Sequence, residues 1–212
     1  MWSIVLAGGD GVRTKAFIRR WLGYEKPKQY STFVGSRSMF QHTLDRAARL
    51  TPWERVVVVA ARHYHHDVWD QLDGRSTGLV LLQPKNADTA AGIFLPLTYI
   101  LARDPLATVV IYPSDHFISP EDSFLSMVDQ AMQGSTGLGG RPVLLAAKPD
   151  SLELEYGWIK PGGVLGRIEK VAIHAVERSL KNQTKVQFAR LGPRPACGTH
   201  WCVPPKAKNC GT

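Results

Sequence analysis

The chain has 212 residues, of which 44% are hydrophobic, and this is enough for one sizeable core. No apolar run is long enough to cross a membrane, and no basic leader precedes the first apolar segment, so we expect a cytoplasmic protein with no membrane partner. The formal net charge is +8, but the residues after position 178 carry six basic and no acidic side chains, which leaves +2 for the rest. This distribution argues against nucleic acid as a partner.

Hydrophobic patterning predicts that strands and helices alternate along the first 150 residues. Strands are predicted at residues 3–6, 55–61, 78–82, 108–112 and 143–147, and helices at residues 38–50, 63–72, 89–102 and 120–133. Such alternation predicts an α/β fold with an open, mostly parallel, Rossmann-like sheet and helices on both faces. Ligands of such sheets bind at the carboxyl ends of the strands.

The first predicted strand ends in a glycine-rich loop, Ala7-Gly8-Gly9-Asp10-Gly11-Val12-Arg13. Glycine has no Cβ, so backbone N–H groups in such a loop can converge on one point and cradle a phosphate. Arg13 and Lys28 can add the positive charge that a triphosphate needs. The loop matches neither the dinucleotide pattern G-x-G-x-x-G nor the pattern G-x-x-x-x-G-K-[ST], so a tight turn without a ligand is the alternative.

Together with Pro27-Lys28-Gln29-Tyr30, this loop resembles the signature of the sugar-1-phosphate nucleotidylyltransferases, most closely the mannose-1-phosphate guanylyltransferase branch. The resemblance implies that the phosphate oxygen of a sugar 1-phosphate attacks the α-phosphorus of a nucleoside triphosphate and that pyrophosphate leaves. GTP and mannose 1-phosphate are the implied substrates, and they rest on the resemblance alone. A non-catalytic nucleotide-binding module, or an inactive fragment of such an enzyme, is the alternative. The sequence does not indicate an oligomeric state.

The resemblance also implies roles for individual residues of the loop. Arg13 and Lys28 would be the catalytic residues, because they offset charge on the phosphates. Nucleotide binding would fall to Ala7, Gly8, Gly9 and Gly11. The nucleophile is already an anion, so positioning and charge neutralisation carry the transfer.

A second segment, Gln83-Pro84-Lys85-Asn86-Ala87-Asp88-Thr89-Ala90, leads from the third strand into a helix. Gln83 and Asn86 carry both donors and acceptors, which suits contact with a base edge or a ribose. The segment resembles the family pattern Gln-Pro-x-Asn-Arg-x-Thr-Ala, which implies nucleotide binding by Gln83, Asn86 and Thr89. Ala87 stands where the family has arginine, and a simple helix cap is the alternative role for Thr89.

A third segment, Pro113-Ser114-Asp115-His116, follows the fourth strand. A carboxylate at this place suits Mg²⁺, which keeps most of its water and bridges one or two carboxylates to substrate phosphates. Asp115 matches the metal-binding aspartate of the family's Pro-Ser-Asp-His motif, so the resemblance implies Mg²⁺ as the cofactor. A turn cap is the alternative for Asp115, and His116 is expected to be structural.

A further segment, Glu155-Tyr156-Gly157-Trp158-Ile159-Lys160-Pro161-Gly162, resembles the Tyr-Gly-Tyr-Ile-x-Pro-Gly segment in the sugar-phosphate half of the family. The resemblance implies sugar-phosphate binding by Tyr156 and Gly157, and Lys160 stands where an acidic residue is common. An ordinary edge strand is the alternative. His63, His65 and His66 with Asp67 are expected to form a solvated helix start rather than a metal site, because His65 does not share a helix face with His63 and Asp67.

The resemblance ends at Arg178, so a nucleotidyltransferase domain is predicted for residues 1–178 and a disordered tail for residues 179–212. The tail contains all three cysteines of the chain. The codons of the tail can be regrouped into another frame that starts at the third base of the Arg178 codon. In that frame residues 179–184 permit Phe-x-Glu-Lys-Pro-Asn, and residues 197–206 permit Leu-Trp-Asn-Thr-Leu-Val-Cys-Ala-Ala-Lys. These two segments contain family motifs in one frame, so out-of-frame translation of the tail is our hypothesis. A zinc site beside a basic nucleic-acid arm is the alternative, formed by Cys197, His200, Cys202 and Cys210.

Overall fold

The computed structural model describes residues 1–148, 157–169, 171–180 and 196–203, the last of these by their backbone. The chain divides into two compact units, Met1–Leu125 and Ser126–Thr212. The first unit contains strands β1 (Trp2–Leu6), β2 (Val56–Ala61), β3 (Leu79–Gln83) and β4 (Val109–Pro113), with helices α1 (Val12–Leu22), α2 (Met39–Ala48), α3 (His65–Leu72) and α4 (Asp88–Arg103). Helix α5 (Glu121–Gly137) begins in this unit and continues past residue 125.

The four strands of the first unit form a parallel sheet in the order β3-β2-β1-β4. In its register, Ile4 of β1 lies between Val57 of β2 and Ile111 of β4. Every residue of β2 is buried, as expected of a parallel strand that is covered on both faces. The predicted α/β fold with a mostly parallel sheet is confirmed.

Helices cover both faces of this sheet. The Trp2 ring meets Tyr99 of α4 edge-on, with 6.4 Å between the ring centroids. Its neighbour Ser3 forms a hydrogen bond of 2.7 Å between its Oγ and the Oγ1 of Thr51, which closely follows α2. Because successive side chains of a strand point to opposite faces, α4 and the end of α2 lie on opposite sides of β1.

Helix α1 was not predicted, because we interpreted this segment of the sequence as a polar connection. Its N-cap is Gly11, which supplies no side-chain cap, and Ile18 is its buried residue. By contrast, α2 begins with a capping box in which Ser38 and Gln41 bond each other's backbone N–H groups. The start of α2 was therefore readable from sequence, whereas α1 begins at a glycine that gives no cap signal.

The second unit contains β5 (Val143–Ala147), β6 (Trp158–Ile168), β7 (Val171–Leu180) and β8 (Ala196–Val203), all in antiparallel pairs. Strand β8 corrects the expectation of a disordered tail for residues 196–203, whose backbone pairs with β5 and β6. Threonine, tryptophan and valine within it favour a strand. The other tail residues, and the side chains of the zinc alternative, lie outside the described part, so the boundary at Arg178 stays a prediction. Among the described residues, no helix has the length and apolar character needed to span a bilayer.

Candidate functional site

The loops that follow β1, β3 and β4 emerge at one edge of the sheet, because these strands are parallel. Ser114, just beyond β4, donates from its backbone N–H and from its Oγ to the carbonyl oxygen of Leu6, at 3.0 and 2.6 Å. These two bonds hold the start of the Asp115 loop against the end of β1. The glycine loop and the Asp115 segment therefore begin side by side.

Two buried side chains hold the backbone of the glycine loop. Gln29 donates from its Nε2 to the carbonyl oxygens of Ala7 and Gly9, at 3.0 and 2.8 Å, and the Tyr30 hydroxyl donates to Ala7 at 2.9 Å. The N–H of Ala7 donates in turn to Val59. Both backbone groups of Ala7 are thus engaged within the protein, and carbonyl oxygens that would repel an anion are covered by donors.

The glycines of the loop differ in the space around them. A Cβ atom at Gly8 would lie 3.4 Å from the backbone nitrogen of Ala61 and 3.6 Å from Oε1 of Gln83, so Gln83 lies beside the loop. Gly11 has a φ of +59° and a Cβ there would lie 3.3 Å from the backbone nitrogen of Lys28. At Gly9 a Cβ would meet no atom within 4 Å. The positive φ and the close approach of Lys28 favour glycine at position 11, whereas a Cβ at Gly8 would make ordinary contacts and Gly9 faces open space.

The structure brings Lys28 and Asp115 together although they come from different loops. The Lys28 Nζ lies 3.9 Å from Asp115 Oδ2, and both side chains are partly exposed. His116 Nε2 lies 3.6 Å from Asp115 Oδ1. Burial lowers the pKa of His116, which favours its neutral form at neutral pH. Beside the glycine loop, the site thus combines a primary amine with a carboxylate.

Asn86 and Thr89 lie in the loop after β3 and at the start of α4. Asn86 donates from Nδ2 to Asp10 Oδ2 at 3.1 Å, and its Oδ1 accepts from the Asp88 N–H at 3.1 Å. Thr89 is exposed, and Ala87 occupies the N-cap position of α4, so the alternative role of Thr89 as a cap is wrong. Arg13 is an exposed residue in the first turn of α1. The nucleotide contacts of these residues stay predictions.

Asp10 is the residue that the sequence analysis left without a role. Besides Asn86, the Tyr64 hydroxyl donates to its Oδ1 at 3.0 Å, and His63 Nε2 lies 3.4 Å from the same oxygen. The hydrogen bond from Asn86, followed by those from Tyr64 and His63, lowers the pKa of Asp10. These partners lie far from Asp10 in sequence, so no local pattern could have shown them.

The histidine segment forms no metal site within the part of the chain that the structure describes. His63 lies in a short 3-10 turn, Arg62–Tyr64, that precedes α3. Across the described ranges, no three His, Cys, Asp or Glu side chains are grouped to hold an ion. The expected solvated helix start at His63 is consistent with its exposed side chain.

The predicted sugar-phosphate residues belong to the second unit. Gly157 directly precedes β6, whose first residue, Trp158, is fully buried. Tyr156 lies outside the described residues, so its predicted role has no structural account. Lys160, which stands where an acidic residue was expected, forms an ion pair of 2.6 Å with Glu177 of β7.

A family model described as "Nucleotidyl transferase" matches residues 2–177, which is most of the chain. The chain belongs to the nucleotidyl transferase family. The match ends one residue before Arg178, where the sequence resemblance also ends. This nucleotidyl transferase domain therefore has a family assignment for its first 177 residues and none for the tail.

The relatives of this chain include bacterial proteins more than twice as long. The xanthan biosynthesis protein XanB of Xanthomonas campestris pv. campestris strain B100 is 32% identical over 167 residues, covering 77% of this chain and 34% of that protein. A mannose-1-phosphate guanylyltransferase of Salmonella montevideo is 29% identical over 164 residues, covering 76% of this chain and 33% of that protein. This chain thus spans about a third of their length.

The fold of this nucleotidyl transferase is also similar to a solved structure. The crystal structure described as mannose-1-phosphate geranyltransferase from Thermus thermophilus aligns with a TM-score of 0.74 and 21% identity. The alignment covers 96% of this chain and 57% of that one. At this identity the similarity concerns the fold alone.

Proposed function

We propose that this chain transfers a nucleotidyl group from GTP to mannose 1-phosphate and releases pyrophosphate, as a sugar-1-phosphate nucleotidyltransferase. The observation that carries the proposal is the meeting of Lys28 and Asp115 beside Gly11, at the carboxyl edge of a parallel sheet. Family membership supports the reaction class. The choice of GTP and mannose 1-phosphate is supported by the name of the Salmonella relative.

The proposed roles follow from charge and position. The glycine loop leads directly into the N-terminus of α1, and the positive end of a helix dipole favours an anion such as the terminal phosphates of a nucleotide. Lys28 lies against Gly11 and offsets charge on those phosphates as pyrophosphate leaves. Arg13, in the first turn of α1, adds a second cation. The attacking sugar phosphate is already an anion and needs no general base.

The donor set at Asp115 fits Mg²⁺ as the proposed cofactor. Magnesium binds oxygen, keeps several waters, and is held by one or two carboxylates together with substrate phosphates. Asp115 supplies one partly exposed carboxylate at the edge where those phosphates are proposed to bind. When bound, Mg²⁺ supplies further neutralisation of phosphate charge. A cytoplasmic location remains a prediction from the sequence.

The proposal is tested by pyrophosphate release from GTP, mannose 1-phosphate and Mg²⁺, against a panel of other nucleoside triphosphates and sugar 1-phosphates. Release should be fastest with GTP and mannose 1-phosphate and should cease when EDTA is added. Faster release with another pair would change the proposed substrates but would still support nucleotidyl transfer as the reaction. If no pair reacts, a rise in melting temperature with Mg²⁺ and GTP would indicate a non-catalytic nucleotide-binding module, and no rise would indicate an inactive fragment.

The second arm of this experiment uses a gene whose reading frame is restored after Arg178. We propose that the restored protein is active, or more active, because it regains the family motifs of the sugar half. Equal activity of the two proteins would show that the first 178 residues suffice. Stop codons or other residues in the regrouped gene would overturn the frame-shift hypothesis directly.

A further inference from the structure

A carboxylate stands in the middle of the loop that is proposed to hold phosphates. Asp10 lies between Gly9 and Gly11, and an ionised carboxylate repels a phosphate at this distance along the chain. A direct contact with the nucleotide is therefore a poor explanation for this residue. Its contacts within the protein give a better one.

Asp10 joins three loops of the same sheet edge. It belongs to the loop after β1, its Oδ1 accepts from Tyr64 of the turn after β2, and its Oδ2 accepts from Asn86 of the loop after β3. His63, from the same turn as Tyr64, lies 3.4 Å from Oδ1. Both carboxylate oxygens of Asp10 are thus bound by side chains from the two other loops.

We propose that Asp10 is a positioning residue that, with Tyr64 and Asn86, forms a latch fixing the glycine loop in its phosphate-binding conformation. We call these three residues the Asp10 latch. The inference rests on the proposed function for its purpose, but the latch itself is a property of the ligand-free protein. Gln29 holds the carbonyl oxygen of Gly9 from one side, and the contacts of Asp10 restrain the next residue of the loop.

The latch also gives Asn86 a different role from the expected contact with the nucleotide. Its amide nitrogen is used by Asp10 and its amide oxygen by the N–H of Asp88. Because both polar atoms of its amide are bound, Asn86 links the N-terminus of α4 to the glycine loop and fixes their relative position. It then acts on the nucleotide through Asp10.

The protonation states of the latch are stable across the neutral range. The hydrogen bond from Asn86 lowers the pKa of Asp10, while burial, followed by the hydrogen bond to Asp10, raises the pKa of Tyr64 to about 12. An aspartate with a lowered pKa stabilises the fold fully above the unfolded pKa, about 3.9, and loses this effect as pH falls through its folded pKa. His63 also faces this carboxylate. The Asp10 latch should therefore hold at neutral pH and open in acid.

The test uses two single variants and one double variant that exchanges the residue types at positions 10 and 86. Asp10→Ala removes both acceptors, and Asn86→Asp places two carboxylates together, so each of these single changes breaks the latch. The double variant Asp10→Asn with Asn86→Asp restores one donor facing one acceptor and keeps the net charge. Asp70→Asn, an exposed aspartate of α3, is the matched control.

Two readouts separate the latch from the proposed function. In the ligand-free protein, amide hydrogen exchange at residues 8–12 should rise about tenfold in each single variant and return towards wild type in the double variant. The Kd for Mg²⁺-GTP should rise about tenfold in the single variants and recover in the double variant. Unchanged exchange in Asp10→Ala, or a double variant no better than Asn86→Asp alone, would overturn the latch. Failure of wild type to bind GTP would overturn the proposed function, and the exchange data would still decide the latch.

Discussion

Replacing Lys28 with alanine should lower kcat/KM for nucleotidyl transfer by about 10²- to 10³-fold, with little change in stability. The Lys28 amine lies 3.9 Å from Asp115 and its backbone lies against Gly11, so its charge lies where the proposed reaction releases pyrophosphate. Its side chain is partly exposed, so the fold loses little packing. Steady-state pyrophosphate release and a thermal melt of the same preparation measure both quantities.

Lys26 provides a matched control for this change. It lies two residues earlier, pairs with Asp67 at 3.8 Å, and is exposed to a similar extent. Lys26→Ala should keep kcat/KM within about threefold of wild type, because its partner Asp67 belongs to α3 rather than to the Asp115 loop. Equal losses in the two variants would indicate a general effect of surface charge and would argue against a catalytic role for Lys28.

Replacing Glu121 with alanine should lower the free energy of unfolding by about 3 kcal/mol. Glu121 opens α5, and its Oε1 accepts from Nε of Arg46 at 3.1 Å and lies 3.0 Å from Nη2 of the same side chain. The Arg46 side chain is only 1% exposed, so loss of Glu121 leaves a buried guanidinium without its carboxylate and with the Thr43 hydroxyl at 3.5 Å and the Phe124 ring beside it. Urea unfolding measures the effect.

The neighbouring ion pair between Asp122 and Arg49 provides an internal control for the Glu121 variant. Asp122 accepts from Arg49 at 2.6 Å, but the two side chains are 85% and 48% exposed. Asp122→Ala should therefore cost less than about 1 kcal/mol. If it destabilises the protein as much as Glu121→Ala does, burial of Arg46 is not what makes the first pair important.

Much of the sheet was predictable because its strands are buried on both faces. The β-branched run of β2 predicted residues 55–61 and the strand is Val56–Ala61, since no polar alternation obscured it. Helix α1 was missed because it begins at a glycine without a cap signal and because basic residues interrupt its apolar positions. Strand β8 was missed because its pairing with β5 is a long-range contact within a segment whose basic composition favoured disorder.

For the candidate site, the sequence predicted which loops meet at one edge of the sheet, but it did not predict the hydrogen bonds that hold these loops. The rule that ligands bind at the carboxyl ends of parallel strands places the glycine loop and Asp115 at this edge, whereas Lys28 was singled out with the Pro27-Lys28-Gln29-Tyr30 segment. That Gln29 and Tyr30 bind the carbonyls of the loop did not follow, although both belong to the recognised motif. The role of Asp10 depends on partners 54 and 76 residues away, which local patterns do not reveal.

The most direct test of the account is the affinity of Gly9→Ala for Mg²⁺-GTP, measured by titration calorimetry. A methyl group at Gly9 meets no protein atom within 4 Å and the backbone there does not need a positive φ, so the melting temperature should stay at the wild-type value. If the nucleotide phosphates approach this loop, the methyl group should weaken binding by about tenfold, or about 1.4 kcal/mol. Wild-type affinity in Gly9→Ala would contradict a phosphate site at the glycine loop.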